Sequence, residues 1–130
     1  MKIIKRHTFD QIEAFELGYG YWGRPLMNVY FYFIDGVLID TAQSLMRKPF
    51  IEIITSKDID KVLLTHFHED HSGNAAVVKK IKNIPIYGHQ ETVEKMKTSS
   101  TRYIRLKKYL SLILNHCSVL TARCLSAVRK

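Results

Sequence analysis

Alternation of apolar and polar positions dominates the first third of the chain. Residues 12–17 (IEAFEL) alternate apolar with acidic side chains, which predicts a strand with one exposed face. The run 28–40 (NVYFYFIDGVLID) contains two β-rich stretches joined by Asp35-Gly36, a strong signal for a two-residue hairpin. Between them, glycines interrupt residues 18–25 (GYGYWGRP), and this pattern predicts an aromatic loop.

Helices and strands alternate in the middle of the chain. Pro49 predicts the start of a short helix that continues to about Thr55, and residues 60–64 predict a short buried strand. The remaining predicted elements are a helix capped by Ser72 and running to about Ile81, a strand over 84–88 and a helix over 89–97. A β-meander followed by this βαβα order predicts an α/β fold, a mixed sheet with helices on one face.

Length and composition are those of one globular domain. The chain has 130 residues, of which 46% are hydrophobic and 25% charged. We assign residues 1–98 to the domain and residues 99–130 to a basic, Leu-rich tail. No apolar run approaches the roughly 20 residues of a membrane span, and the N-terminus has no apolar core of an export signal. These features predict a cytoplasmic protein.

The net charge of +8 belongs to the tail. From Ser100 to Lys130 there are seven basic residues and no acidic one, whereas the chain before Ser100 is nearly neutral. A basic tail without an aromatic platform does not favour nucleic-acid binding. The two cysteines, Cys117 and Cys124, lack the spacing of a zinc knuckle and are interpreted as free thiols.

Three interpretations of the tail stay open. Its apolar positions fit a helix with one apolar side, which would pack on the domain. The basic flanks also suit a helix that lies on a membrane surface or binds a partner. Alternatively, residues after about 98 are not a native continuation of the domain, as a frameshift or truncation would produce.

The candidate functional residues lie mainly in Thr65–Gly73 (THFHEDHSG), which we call the histidine segment. Three of the six histidines of the chain lie here, directly after the predicted strand 60–64. In an extended segment, side chains two positions apart point the same way, so His66 and His68 can converge on one metal ion. The turn that follows brings Asp70 and His71 alongside. Nitrogen and carboxylate ligands suit zinc, with iron and manganese as close competitors.

These residues carry a family resemblance. His66-x-His68-x-Asp70-His71, followed by Ser72-Gly73-Asn74, resembles the signature of the metallo-β-lactamase-fold hydrolases. The upstream GVLIDTA (36–42), with Asp40 in the matching place, is similar to the preceding motif of that family. The resemblance extends from about Ile12 to about Lys97.

The resemblance implies a fold, a metal site and an activity. The fold would be the N-terminal half of an αββα sandwich, with one or two zinc ions in a cleft at one edge. His66 and His68 would bind the first ion, and Asp70 and His71 the second. Asp70 would also act as the catalytic residue that holds or deprotonates the attacking water. Asp40 would brace the site, although capping of a turn explains it equally well.

The chain also departs from the family pattern. The family completes its site with a further histidine, a bridging aspartate and a last histidine, and no aspartate follows Asp70 here. His116 lacks the expected surroundings of a ligand, and His89 is interpreted as a residue at a helix start. A half-domain of this kind predicts weak, substoichiometric metal binding. Its exposed sheet edge and apolar face predict a homodimer.

Three functions follow. The leading one is a metal-dependent hydrolase that acts on a small-molecule ester, thioester, lactone or phosphoester. An iron-dependent oxidoreductase of the same fold is the alternative, and metal identity separates the two. The third is a catalytically inactive fragment that retains the motif.

Overall fold

In the part of the chain that the structure describes, seven strands form one sheet in which the spatial order follows the chain order, β1 to β7. A computed structural model describes residues 1–22, 24–98 and 117–119. The strands are β1 (Lys2–Phe9), β2 (Ile12–Tyr21), β3 (Arg24–Ile34), β4 (Val37–Ile39), β5 (Lys61–Leu64), β6 (Ile86–Gly88) and β7 (Cys117–Val119). The helices are α1 (Arg47–Thr55), α2 (Glu69–Ser72), α3 (Ala75–Lys82) and α4 (Gln90–Thr98), preceded by a 3₁₀ turn at Ser44–Met46.

The sheet is mixed, as the sequence predicts. Strands β1 to β4 pair antiparallel, and β4 to β7 pair parallel. The crossovers from β4 to β5 and from β5 to β6 step across the sheet in the same direction. Because such crossovers are right-handed, their helices α1 and α3 lie on the same face.

That face holds the hydrophobic core. Phe31 and Phe50 have no exposed surface, and their rings meet edge to face with centroids 5.1 Å apart. Phe15 stacks on Phe31 at 5.0 Å. Val62 of β5 and Val78 of α3 are also fully buried, so the core continues beneath the end of the strand that the histidines follow.

The hairpin predicted at Asp35-Gly36 is confirmed. Asp35 has φ +41° and Gly36 has φ +74°, the two positive values that a two-residue hairpin of this type requires. A Cβ at Gly36 would lie 2.3 Å from Oδ2 of Asp60, so glycine also allows the start of the next parallel strand to approach the turn.

The first two strands differ from the sequence prediction. Strand β1 was not predicted, and the predicted loop 18–25 is largely strand, with its turn at Trp22. Pairing of β2 with β3 along their whole length outweighs the glycines that suggested a break. Glu16, expected on an exposed face, is only 4% exposed because Asn28 and Lys5 cover it.

The helix boundaries also shift. Helix α1 begins two residues before Pro49. Ser72 does not cap the following helix; it ends α2, and its hydroxyl donates to the carbonyl oxygens of Phe67 and His68 at 2.9 and 3.0 Å. Helix α3 starts at Ala75. The Ser72 hydroxyl therefore connects the end of α2 to the loop 65–68 that precedes it.

The tail lies mostly outside the described residues. Within 99–130 only Cys117–Val119 is described, and it forms strand β7 beside β6, so the predicted helix does not hold there. Within the described ranges, no helix combines the length and apolar character needed to cross a membrane.

Candidate metal centre

The candidate site begins where strand β5 ends. Leu64 is the last residue of that strand, and the loop 65–68 leads into helix α2. The histidine segment thus leaves the carboxyl end of a parallel strand in the interior of the sheet, the position at which α/β folds commonly build their sites.

Three of the four predicted ligands come together. One ligand atom each from His66, Asp70 and His71 lies within 4.8 Å of the other two, and no other group of this kind occurs in the part of the chain that the structure describes. The rings of His66 and His71 have centroids 4.0 Å apart, and Nε2 of His71 lies 3.5 Å from Oδ2 of Asp70. Two imidazoles and one carboxylate suit zinc, iron or manganese.

The fourth predicted ligand, His68, lies at the margin of this group. Its ring is edge-on to that of His66, with centroids 4.8 Å apart, and also lies 4.5 Å from the ring of Phe67. His68 is exposed, whereas His66, Asp70 and His71 are half-buried. The structure does not bring its nitrogen atoms into the group of three.

Asp40 braces the site from the end of strand β4. Its side chain is buried, and its two oxygens accept hydrogen bonds from the backbone N–H and the hydroxyl of Thr65 at 2.8 and 2.7 Å. Oδ2 also lies 2.7 Å from Nδ1 of His71. Because these partners lie 25 and 31 positions away in sequence, the bracing interpretation of Asp40 is favoured over the capping of a local turn.

These contacts fix which ring nitrogens face the site. A carboxylate only accepts hydrogen bonds, so Nδ1 of His71 carries the proton that Asp40 receives. Nε2 of His71 is then the nitrogen directed towards Asp70. The Thr65 hydroxyl, which donates to Asp40, accepts from Nδ1–H of His66 at 3.1 Å, which likewise leaves Nε2 of His66 for a metal ion.

Two further histidines, His89 and His116, have different outcomes. Nδ1 of His89 accepts the backbone N–H of Glu91 at 3.3 Å, in agreement with its interpretation as a helix-start residue. His116 lies outside the described residues.

The sequence assigned no role to two residues beside the site, Thr41 and Asn74, although both stand in the family motifs. Both are fully buried and hydrogen-bonded to each other, and Thr41 also donates to the carbonyl oxygen of His71. Besides the motifs, the sequence signal was the placement of polar residues next to apolar runs: Thr41 after VLID, and Asn74 before AAVV. Buried polar side chains need hydrogen-bond partners, and the partners of these two residues are about thirty positions away in sequence.

Comparison with known proteins shows the family. A sequence profile described as "Metallo-beta-lactamase superfamily" matches residues 24–114. The match covers more than half of the chain, and the chain therefore belongs to the metallo-β-lactamase superfamily.

Solved structures agree on the fold. The mono-zinc form of the metallo-β-lactamase FIM-1 from Pseudomonas aeruginosa is 16% identical with a TM-score of 0.58, over 71% of this chain and 44% of that one. VMB-1 is 24% identical with a TM-score of 0.61, over 78% and 50%. A flavo di-iron protein mutant from Thermotoga maritima is 18% identical with a TM-score of 0.64, over 93% and 33%. The chain spans about half the length, or less, of these structures.

Proposed function

We propose that this chain carries the metal centre of a metal-dependent hydrolase. The convergence of His66, Asp70 and His71 within 4.8 Å at the end of β5 is the observation that carries the proposal. A zinc ion supplies a water molecule whose pKa falls to about 7 and which is therefore a nucleophile at neutral pH. Membership in the superfamily supports the same class of activity.

The residues divide into ligands and supports. His66 and His71 would hold the ion through their Nε2 atoms, because their Nδ1 atoms are engaged by Thr65 and Asp40. Asp70 is proposed as the residue that binds and orients the attacking water and accepts its proton. Its half-buried carboxylate is both near the histidines and open to solvent.

The number of ions is linked to His68. The family pattern pairs His66 with His68 on one ion and Asp70 with His71 on the other. The geometry favours a first ion at His66, Asp70 and His71, and His68 can add to it only by turning its ring inward. We propose occupancy by one ion, or weakly by two, with zinc as the first choice and iron or manganese as alternatives.

The proposed substrates are small molecules with an electrophilic carbonyl or phosphoryl centre: esters, thioesters, lactones or phosphoesters. Activated water attacks any of these centres, and the described residues do not favour one over another. A cytoplasmic location is retained as a prediction from the sequence.

An iron-dependent oxidoreductase is the second candidate. Two histidines and one carboxylate are also a ligand set of non-haem iron. The fold is shared with the flavo di-iron protein of Thermotoga maritima, although the likeness at 18% identity concerns the fold alone. Iron content with absorbance in the visible range, and turnover only in the presence of oxygen or another oxidant, would favour this candidate.

The test combines metal analysis with a substrate panel. Protein purified without chelator is analysed for zinc, iron and manganese, and then assayed with chromogenic esters, thioesters, lactones and phosphodiesters. Hydrolysis should require metal and should be lost in H66A and in D70A, whereas H7A, on strand β1, retains it. Absence of bound metal, or hydrolysis that H66A leaves unchanged, would refute the proposal.

We also propose that the sheet face opposite the core associates with a second copy. Tyr30 and Tyr32 alternate with buried Val29 and Phe31 on β3 and are 42% and 37% exposed on that face. Light scattering should give the mass of a dimer, and Y32T should shift it towards monomer. The control L45T changes a residue that is 72% exposed elsewhere.

A further inference from the structure

Asn74 is not one of the candidate ligands, but its side chain contacts the loop that carries Asp40 and Thr41. Its side chain is fully buried, and its Nδ2 atom lies 2.8, 3.3 and 3.0 Å from the carbonyl oxygens of Thr41, Ala42 and Gln43. Its Oδ1 accepts a hydrogen bond from Nε of Arg47 at 3.3 Å, and this bond orients the amide with its nitrogen towards the three carbonyl groups.

The loop that Asn74 holds has an unfavourable backbone conformation. Asp40 has φ +62° and Ala42 has φ +52°, in the left-handed region that non-glycine residues seldom occupy. Such conformations cost of order 1–3 kcal/mol each and persist only where surrounding contacts enforce them. One buried amide that serves three consecutive carbonyl groups is a contact of this kind.

The same loop is hydrogen-bonded to both the backbone and the ring of His71. The backbone N–H and the hydroxyl of Thr41 both donate to the carbonyl oxygen of His71, at 2.7 and 2.9 Å. Asp40 receives the proton of Nδ1 on the ring of the same histidine. The loop therefore fixes both the backbone and the ring of His71.

We propose that Asn74 is a positioning residue for the metal centre. Its amide holds the loop 40–43 in the strained conformation from which Asp40 and Thr41 direct Nε2 of His71 towards Asp70. The inference rests on the proposed function in one respect, that the directed nitrogen binds a metal ion. The orientation of the ring itself can be measured without metal.

The experiment compares N74A with N28A. Asn28 is the matched control, because its amide also donates to a buried acceptor, Glu16 on β2 at 2.6 Å, in a hydrogen-bond network that does not include the histidine segment. Long-range ¹H–¹⁵N correlation spectra of the metal-free proteins at pH 8, where imidazole is ordinarily neutral, report which nitrogen of His71 carries the proton. Cobalt(II) titration followed by visible absorbance reports affinity.

We expect the wild type and N28A to show one His71 tautomer, protonated on Nδ1. N74A should show both tautomers and bind cobalt(II) about 10-fold more weakly, in the range found when residues that orient metal ligands are removed. Both variants should unfold at lower temperature than the wild type, so stability alone does not separate them. A single Nδ1–H tautomer in N74A would overturn the inference.

Two further arms keep the result decisive. If N74A does not fold, T41V removes the two bonds of the Thr41 hydroxyl, to the carbonyl oxygen of His71 and from the backbone N–H of Asn74, and should produce the same change to a smaller extent; an unchanged tautomer in T41V overturns the inference. If the wild type binds no cobalt(II), the proposed function fails, and the metal-free spectra still decide whether Asn74 positions His71.

Discussion

Oδ2 of Asp40 lies 2.7 Å from Nδ1 of His71, although 31 positions separate the two residues in sequence. This contact joins the end of strand β4 to helix α2 and links the buried interior to the half-buried candidate site. Both oxygens of Asp40 are engaged by Thr65 and His71, and the contact with Nδ1 orients the ring of His71, a candidate ligand.

Replacement of Asp40 by asparagine should weaken metal binding without abolishing it. The amide retains an acceptor for Thr65 but can present a donor to His71, so the preference for the Nδ1–H tautomer is lost. We expect affinity for zinc to fall about 10- to 100-fold, measured by competition with a chromogenic chelator. D58N, at an exposed position, should leave affinity unchanged. Equal affinities of D40N and wild type would contradict the bracing role.

The histidines should contribute unequally to metal binding. Because His66 and His71 belong to the group of three ligand atoms and His68 does not, H66A and H71A should each lower affinity at least about 100-fold. H68A should lower it less than about 10-fold. Calorimetric titration with zinc measures both values, and H89A is the control. A loss in H68A as large as that in H66A would show that His68 joins the ion when metal binds.

An ion pair between strand β2 and the segment that follows helix α1 should govern part of the acid stability. Glu13 forms a hydrogen-bonded ion pair with Lys57, and this contact, reinforced by Arg6, holds the pKa of the Glu13 carboxyl below its ordinary value. A lowered pKa in the folded state adds stability above the unfolded value of about 4.3, and that stability is lost as the pH falls through the folded pKa.

E13Q should therefore reduce the free energy of unfolding by about 1–2 kcal/mol at pH 7 and by much less at pH 3. Urea unfolding at a series of pH values measures the difference. E52Q, on the exposed surface of α1, should change stability by no more than a few tenths of a kcal/mol at either pH. A loss in E13Q that is the same at both pH values would mean that packing, and not charge, explains the effect.

Gly73 should be intolerant of a side chain. A Cβ there would lie 2.4 Å from the carbonyl oxygen of Glu69, 2.7 Å from the backbone nitrogen of Ser44 and 2.9 Å from the carbonyl oxygen of Ala42. Because all three atoms belong to the backbone, G73A should destabilise the protein by roughly 2–4 kcal/mol. G88A is the matched control, since its nearest neighbour is the Cγ2 atom of Thr92 at 3.4 Å. Thermal unfolding distinguishes the two variants.

Local signals explain what the sequence could predict. The Asp35-Gly36 turn, strand β5 and the position of the histidine segment after it depend on neighbouring residues, and the structure confirms them. Three of the four ligand candidates also come together, because residues within one short loop have few ways to separate.

Long-range pairing explains what the sequence could not predict. Strand β1 is stabilised by its ladder to β2, and its own pattern (KIIKRHTF) gives no clean alternation. Glu16 looks like a solvent-facing residue until Lys5 and Asn28 cover it. The role of Asn74 depends on carbonyl groups more than thirty positions earlier, which no local pattern encodes.

The candidate ligands His66, Asp70 and His71 lie within six consecutive positions, and this closeness bears on how the protein folds. Bringing three such neighbours together closes a very short loop, and the entropic cost of loop closure rises with loop length. Only the brace from Asp40 must be recruited across a long stretch of chain. We therefore expect the loop with these three residues to form early in folding and to bind a cation before the sheet is complete. Added zinc should then accelerate refolding of the wild type more than that of H66A.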